Sequence, residues 1–157
     1  MNDTDTRIHP VVILMYVLTF TTGIIDAVTI LGLGGIFASL MSGNVVFLGL
    51  GFGGYEDVSP IRNGSALIAF VIGAFSAGYL AKRFVNRRVG SWLLTICFIE
   101  VALLLGAAWA AKDIGPNGPV NLASLPVLLT IGLASAAMGL RNSTILRLSV
   151  DDLKVTV

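Results

Sequence analysis

Residues 23–49 read GIIDAVTILGLGGIFASLMSGNVVFLG. The stretch is apolar enough to lie in a bilayer, yet it carries a carboxylate (Asp26), a glycine-rich break (Gly32, Gly34, Gly35) and a polar triplet (Ser42, Gly43, Asn44). A helix crosses about 30 Å of hydrocarbon with about 20 apolar residues. The apolar run over residues 11–53 is twice that length, with the glycines near its middle. It therefore reads as two antiparallel spans joined by a tight turn at 31–35.

The bulk composition agrees. The 157 residues are 55% hydrophobic and 12% charged, with a mean hydropathy of +0.90, against about 25% charged in a typical soluble domain. The expected fold is all-α, a polytopic transmembrane helix bundle forming a single membrane domain over residues 1–157. Five spans are expected, at about 11–31, 35–53, 64–81, 91–111 and 126–146. The last opens with Pro126 in its first turn, where a missing N–H is tolerated. Residues 1–10 have no basic n-region, and the run after them is too long for a cleaved signal, so the first span is read as retained. Asp151, Asp152 and Lys154 are followed by Val155, Thr156 and Val157, which read as the start of a sixth span, so the chain is expected to be incomplete at its C-terminus.

Lys and Arg set the expected orientation. Lys82, Arg83, Arg87 and Arg88 place the 82–90 loop in the cytoplasm, and five spans then place the N-terminus outside. The turn between spans 1 and 2 would be cytoplasmic, and loops 54–63 and 112–124 external.

Charges at membrane depth are rare and face a bundle interior or a wet cavity. Glu100 lies midway between Trp92 and Trp109, which sit about 25 Å apart at 1.5 Å per residue, the spacing of two aromatic belts. Glu100 reads either as a proton or cation carrier or as a carboxyl hydrogen-bonded to a neighbouring helix. Asp26 and Arg141 share a depth about 7 Å from the span centres and have opposite sign, so they are expected to pair. The alternative leaves them unrelated, with Arg141 snorkelling to the headgroups. Ser42, Gly43 and Asn44 read as a binding element on a locally broken helix, or as interhelical glue around a packing notch. Ala69, Gly73, Ala77 and Ala81 form a small-residue seam for close helix packing. Gly23-x-x-Asp26-Ala27 is faintly echoed by Gly139-x-x-Asn142-Ser143, an internal repeat signal of the kind transporters carry.

Soluble-enzyme motifs are missing: no P-loop, no H-E-x-x-H and no nucleophile elbow occurs. One His and one Cys assemble neither a metal set nor a Cys/His catalytic set, and Cys97 reads as a small apolar residue. No catalytic residues, metal or cofactor are expected, and the chain is not expected to be an enzyme. No basic domain surface suits nucleic acid.

Three motifs resemble the YoaK-like, DUF1275 family of bacterial membrane proteins. They are Gly23-Ile-Ile-Asp26-Ala27, Leu31-Gly32-Leu33-Gly34-Gly35-Ile36-Phe37 and Met41-Ser42-Gly43-Asn44-Val45-Val46. The cationic loop, the Glu in span 4 and Gly139-Leu140-Arg141-Asn142 fit as well. Ser42 stands where the family pattern has Thr, and Arg141 where it more often has Gln. The resemblance implies a bacterial inner membrane and a further polar span after residue 157; it brings no substrate. The expected function is a small-solute or ion permease whose candidate site comprises Asp26, Ser42, Gly43, Asn44, Glu100, Arg141 and Asn142. Its candidate partners are the lipid bilayer, a small solute, a proton or a cation, and a second copy of the chain. The alternative is a membrane scaffold whose polar residues only fasten helices.

Overall fold

The structure is a computed structural model that describes residues 10–83, 89–112, 114 and 124–155. It contains five helices: α1 (Pro10–Leu33), α2 (Met41–Phe52), α3 (Pro60–Arg83), α4 (Val89–Ala111) and α5 (Leu125–Val155). No strand occurs among the described residues. The helical bundle expected from the sequence is therefore present. Four of the helices are long and apolar enough to cross a membrane, and the fifth, α2, is a shorter apolar helix. Arg87, Arg88, most of the 112–124 loop and the polar N-terminus lie outside the described residues.

The second apolar segment differs from its expected form. Instead of a span over 35–53, the chain leaves α1 through Gly34 (φ 75°) and Gly35 (φ 79°), left-handed conformations that glycine adopts without a Cβ clash. It then runs without helix to Leu40 before α2 begins. The non-helical stretch folds back along α1. The Ser39 N–H donates to Asp26 Oδ1 at 2.8 Å, although Asp26 lies seven residues, about 10 Å, before the end of α1. α2 then returns to the level it started from. Its 12 residues reach about 18 Å, and at Gly51 it packs against Pro60, the first residue of α3.

Arg62 closes this hairpin. Its side chain is 2% exposed, and its Nη1 donates to the Leu33 carbonyl at 2.7 Å and the Gly34 carbonyl at 3.1 Å. A helix leaves its last carbonyls without intrahelical partners and carries negative partial charge there. The guanidinium answers both needs and pins the end of α1 to the start of α3. Arg62, read from sequence as part of an external loop, is thus a buried clamp. Residues 34–59 form a re-entrant hairpin that enters and leaves at one end of the bundle.

The helix directions follow. α5 is the central element, with more than half of its span residues buried, while fewer than a quarter are buried in each of the other three spans. α4 runs antiparallel to α5, with Ala107 packed near Ala134 and Glu100 bound to Arg141. α3 runs parallel to α5, with Ala66 near Val127 and Ile131, and Ala77 and Ala81 near Leu140. α1 runs antiparallel to α5: Leu33 packs near Val127, and Thr21 and Thr22 bond to Arg141. The start of α1, the end of α3, the start of α4 and the far end of α5 therefore share one end of the bundle. Five spans would set the start of α1 and the end of α3 at opposite ends; in the structure the re-entrant hairpin brings them to the same end, while the N-terminus itself lies outside the described residues.

The small-residue seam of α3 does its expected work. A Cβ added at Gly73 would stand 2.0 Å from the backbone oxygen of Ala136, and one at Gly139 would stand 2.0 Å from that of Phe70. Both helices need glycine where they cross, since no side chain fits between the two backbones. Large apolar residues such as Phe20, Leu31, Phe75, Phe98 and Trp109 point outward, as lipid-facing positions do. Cys97 is also exposed on this apolar exterior. Lys112 sits 4.8 Å over the Trp109 ring, the pairing of cation and aromatic found at a membrane interface. Trp92, expected in the opposite belt, is instead buried against Ile96 and Leu140.

Candidate functional site

Thr21 and Thr22 are the middle residues of the 24-residue α1, so the groups they meet lie near mid-height of the bundle. Arg141 of α5 donates from Nη1 to Thr21 Oγ1 at 3.1 Å and Thr22 Oγ1 at 3.0 Å. Its Nε donates to Glu100 Oε1 of α4 at 2.7 Å, and its Nη2 meets the same oxygen. The Arg141 and Glu100 side chains are only 11% and 12% exposed. One guanidinium thus ties three helices together through charge-assisted hydrogen bonds, the strong kind. Pairing is also what makes either charge tolerable at this depth.

Asp26 belongs to a second polar group, about 6 Å from Thr22 along α1. Its two carboxylate oxygens accept from Ser39: Oδ1 from the backbone N–H and Oδ2 from the hydroxyl at 2.5 Å. The expected Asp26–Arg141 pair does not form. Depth and sign matched, but the re-entrant stretch places Ser39 in front of Asp26, and Glu100 reaches Arg141 from α4.

Between the two groups lies a cavity of about 110 Å³, lined by Thr22, Ser39, Met138, Arg141, Asn142 and Ile145. A water needs roughly 10–15 Å³ of such space and two or more polar partners, and Thr22, Ser39, Arg141 and Asn142 supply them. Asp26 and Glu100 stand behind this lining, each through its own partner. The cavity can hold water, a small ion or a small polar solute beside fixed charges of both signs.

The polar triplet stands elsewhere. Asn44 is fully buried, and its carboxamide mimics a strand partner. Oδ1 accepts from the Phe37 N–H at 3.0 Å, and Nδ2 donates to the Phe37 carbonyl at 2.6 Å. Phe37 lies in the non-helical stretch between α1 and α2, so a side chain supplies partners for its backbone groups. Gly43 leaves room for the Phe37 ring, which would stand 2.6 Å from a Cβ there and which also stacks on Phe47. Ser42 is exposed. The expected grouping of Asn44 with Glu100 is therefore replaced: Asn44 shapes the hairpin, and the hairpin delivers Ser39. Of the seven candidate residues, Arg141 and Asn142 line the cavity, Asp26 and Glu100 flank it, and Ser42, Gly43 and Asn44 lie outside it.

Thr21, Thr22 and Ser39 were not singled out in the sequence. Thr22 does carry a signal, since it lies four residues before Asp26 and so shares its helix face. Ser39 carries none, because its position depends on the chain folding back.

Comparison with known proteins places these features in a family. The model of the family described as "Protein of unknown function (DUF1275)" matches residues 14–157, and the chain belongs to that family. It is similar to the UPF0700 transmembrane protein YoaK of Bacillus subtilis (strain 168), with 28% identity over 144 residues. That match covers 92% of this chain and 60% of the relative, so the chain spans less than two thirds of the relative's length. No solved structure matches. The chain is a multi-pass integral membrane protein.

Proposed function

We propose that this protein is a permease-like membrane protein in which the cavity between Ser39 and Arg141 receives a small polar solute or ion. The observation that carries this reading is the re-entrant hairpin, a half-length helix whose non-helical lead-in reaches a small cavity that Thr22, Ser39, Arg141 and Asn142 help to line. Irregular backbone is tolerated at membrane depth only where it is buried in protein or lines a cavity, and broken helices of this kind form transporter sites. In this reading Arg141 and Asn142 present donors to the solute, and Ser39 and Thr22 complete the wall. Glu100 is the exchangeable partner: a proton or cation arriving there competes with Arg141 and frees the guanidinium for the solute. The membrane is the bacterial inner membrane, and the end bearing Lys82 and Arg83 faces the cytoplasm.

A second reading is favoured by one observation. Asp26, Asn44 and Glu100 each already have partners within the chain, which is what a scaffold fastened by polar contacts requires. Flux through reconstituted vesicles separates the two. The full-length protein is screened for proton and solute flux beside Glu100→Gln. The permease reading expects a flux that Glu100→Gln abolishes while the protein stays folded. Undiminished flux in Glu100→Gln removes Glu100 as carrier; absence of all flux, with Glu100→Gln unfolding the bundle, favours the scaffold.

A further inference from the structure

The outer surface between α3 and α5 carries a groove of about 630 Å³ unrelated to the polar cavity. Its apolar lining is Phe70, Val71, Ala74, Phe75, Gly78 and Tyr79. A Cβ at Gly78 would meet nothing within 4 Å, so this glycine serves no helix contact and leaves the groove open. From Phe70 to Tyr79 its apolar part follows nine residues of α3, about 14 Å, close to the roughly 15 Å of hydrocarbon in one leaflet. At the end bearing the α3–α4 connection its lining changes character. Lys82 from α3 and Arg147 from α5 stand together there, and no lining residue is acidic.

We propose that this groove binds one anionic phospholipid of the leaflet on the Lys82 side. The phosphate lies between Lys82 and Arg147, and an acyl chain lies along the aromatic wall over Gly78. Two observations point to this occupant over a packed helix. Charge sits at one end only, at headgroup level, and the apolar part has the length of a leaflet. Two cations from different helices meet one phosphate as a basic pocket between transmembrane helices does, and Arg offers it a bidentate fork.

The test uses the full chain in nanodiscs of equal phosphatidylglycerol and phosphatidylcholine, extracted and weighed by native mass spectrometry. The expected result is retained phosphatidylglycerol in preference to phosphatidylcholine. Affinity for it should fall about tenfold or more in Lys82→Gln/Arg147→Gln, given two surface cations lost. Gly78→Leu, which fills the groove and leaves both cations, should also lower retention while thermal stability stays as in the parent. Equal retention of the two lipids overturns the proposal. So does phosphatidylglycerol retention unchanged in either variant, or a dimer that Gly78→Leu dissociates, since a second copy would then occupy the groove.

Discussion

Arg141 is the residue on which the bundle interior depends most. Removing one partner of a buried ion pair leaves an uncompensated charge, a loss of about 3–5 kcal/mol. Arg141→Gln and Glu100→Gln should each lower the detergent unfolding temperature, and the double variant should recover much of the loss, because both charges then leave together. Unfolding followed by circular dichroism for the four proteins gives the coupling; strict additivity would deny the pair. Asn44→Ala removes both bonds to Phe37 and strands two backbone groups, at about 1–3 kcal/mol each. It should destabilise the hairpin, and protease cleavage near residues 34–40 should accelerate, whereas the exposed Ser42→Ala should leave cleavage unchanged. At this scale the sequence was half legible. It marked Asp26, Asn44, Glu100 and Arg141 as unusual, since charge and amide groups at membrane depth need a reason. Which group bonds which was not legible, because matched depth along a helix leaves azimuth open, and Arg141 turned toward Glu100.

The helices were legible in existence and type, and α2 shows where hydropathy stops informing. An apolar 12-residue helix behind seven non-helical residues has the same composition as one crossing. Gly34 and Gly35 permit a turn of either kind, and the deciding contact is Arg62, 28 or more residues away in sequence. Arg62→Ala should release the end of α1 from α3. Hydrogen exchange should then rise at residues 30–36 and 60–64 while the α4–α5 pair stays protected; unchanged protection at 30–36 would remove Arg62 as the clamp. The seam of small residues in α3 marked a close helix contact but not its partner, which is α5, and the tolerance of that crossing is sharply uneven. Gly73→Ala and Gly139→Ala each place a methyl 2.0 Å from a backbone oxygen. Each should separate the helices and abolish recovery of folded protein, whereas Gly78→Ala should be neutral. Size-exclusion profiles of the three variants check this.

For the molecule as a whole, the hairpin brings the start of α1, the end of α3 and the start of α4 to one end of the bundle. Lys82, Arg83 and Arg147 belong to one end, and Arg62 and Lys112 to the other. α1 and α5 run antiparallel, so the echo between Gly23-x-x-Asp26 and Gly139-x-x-Asn142 joins helices of opposite direction, the relation found in inverted-repeat transporters. The central claim is that residues 34–59 re-enter from one side. Impermeant maleimide labelling of single cysteines in intact cells, on a Cys97→Ser background, tests it most directly. Cysteines at Asn2 and Asn86 are expected to resist labelling until the membrane is opened, while one at Asp57 labels at once. Labelling of Asn2 together with Asp57, with Asn86 protected, would contradict the re-entrant hairpin and restore five crossings.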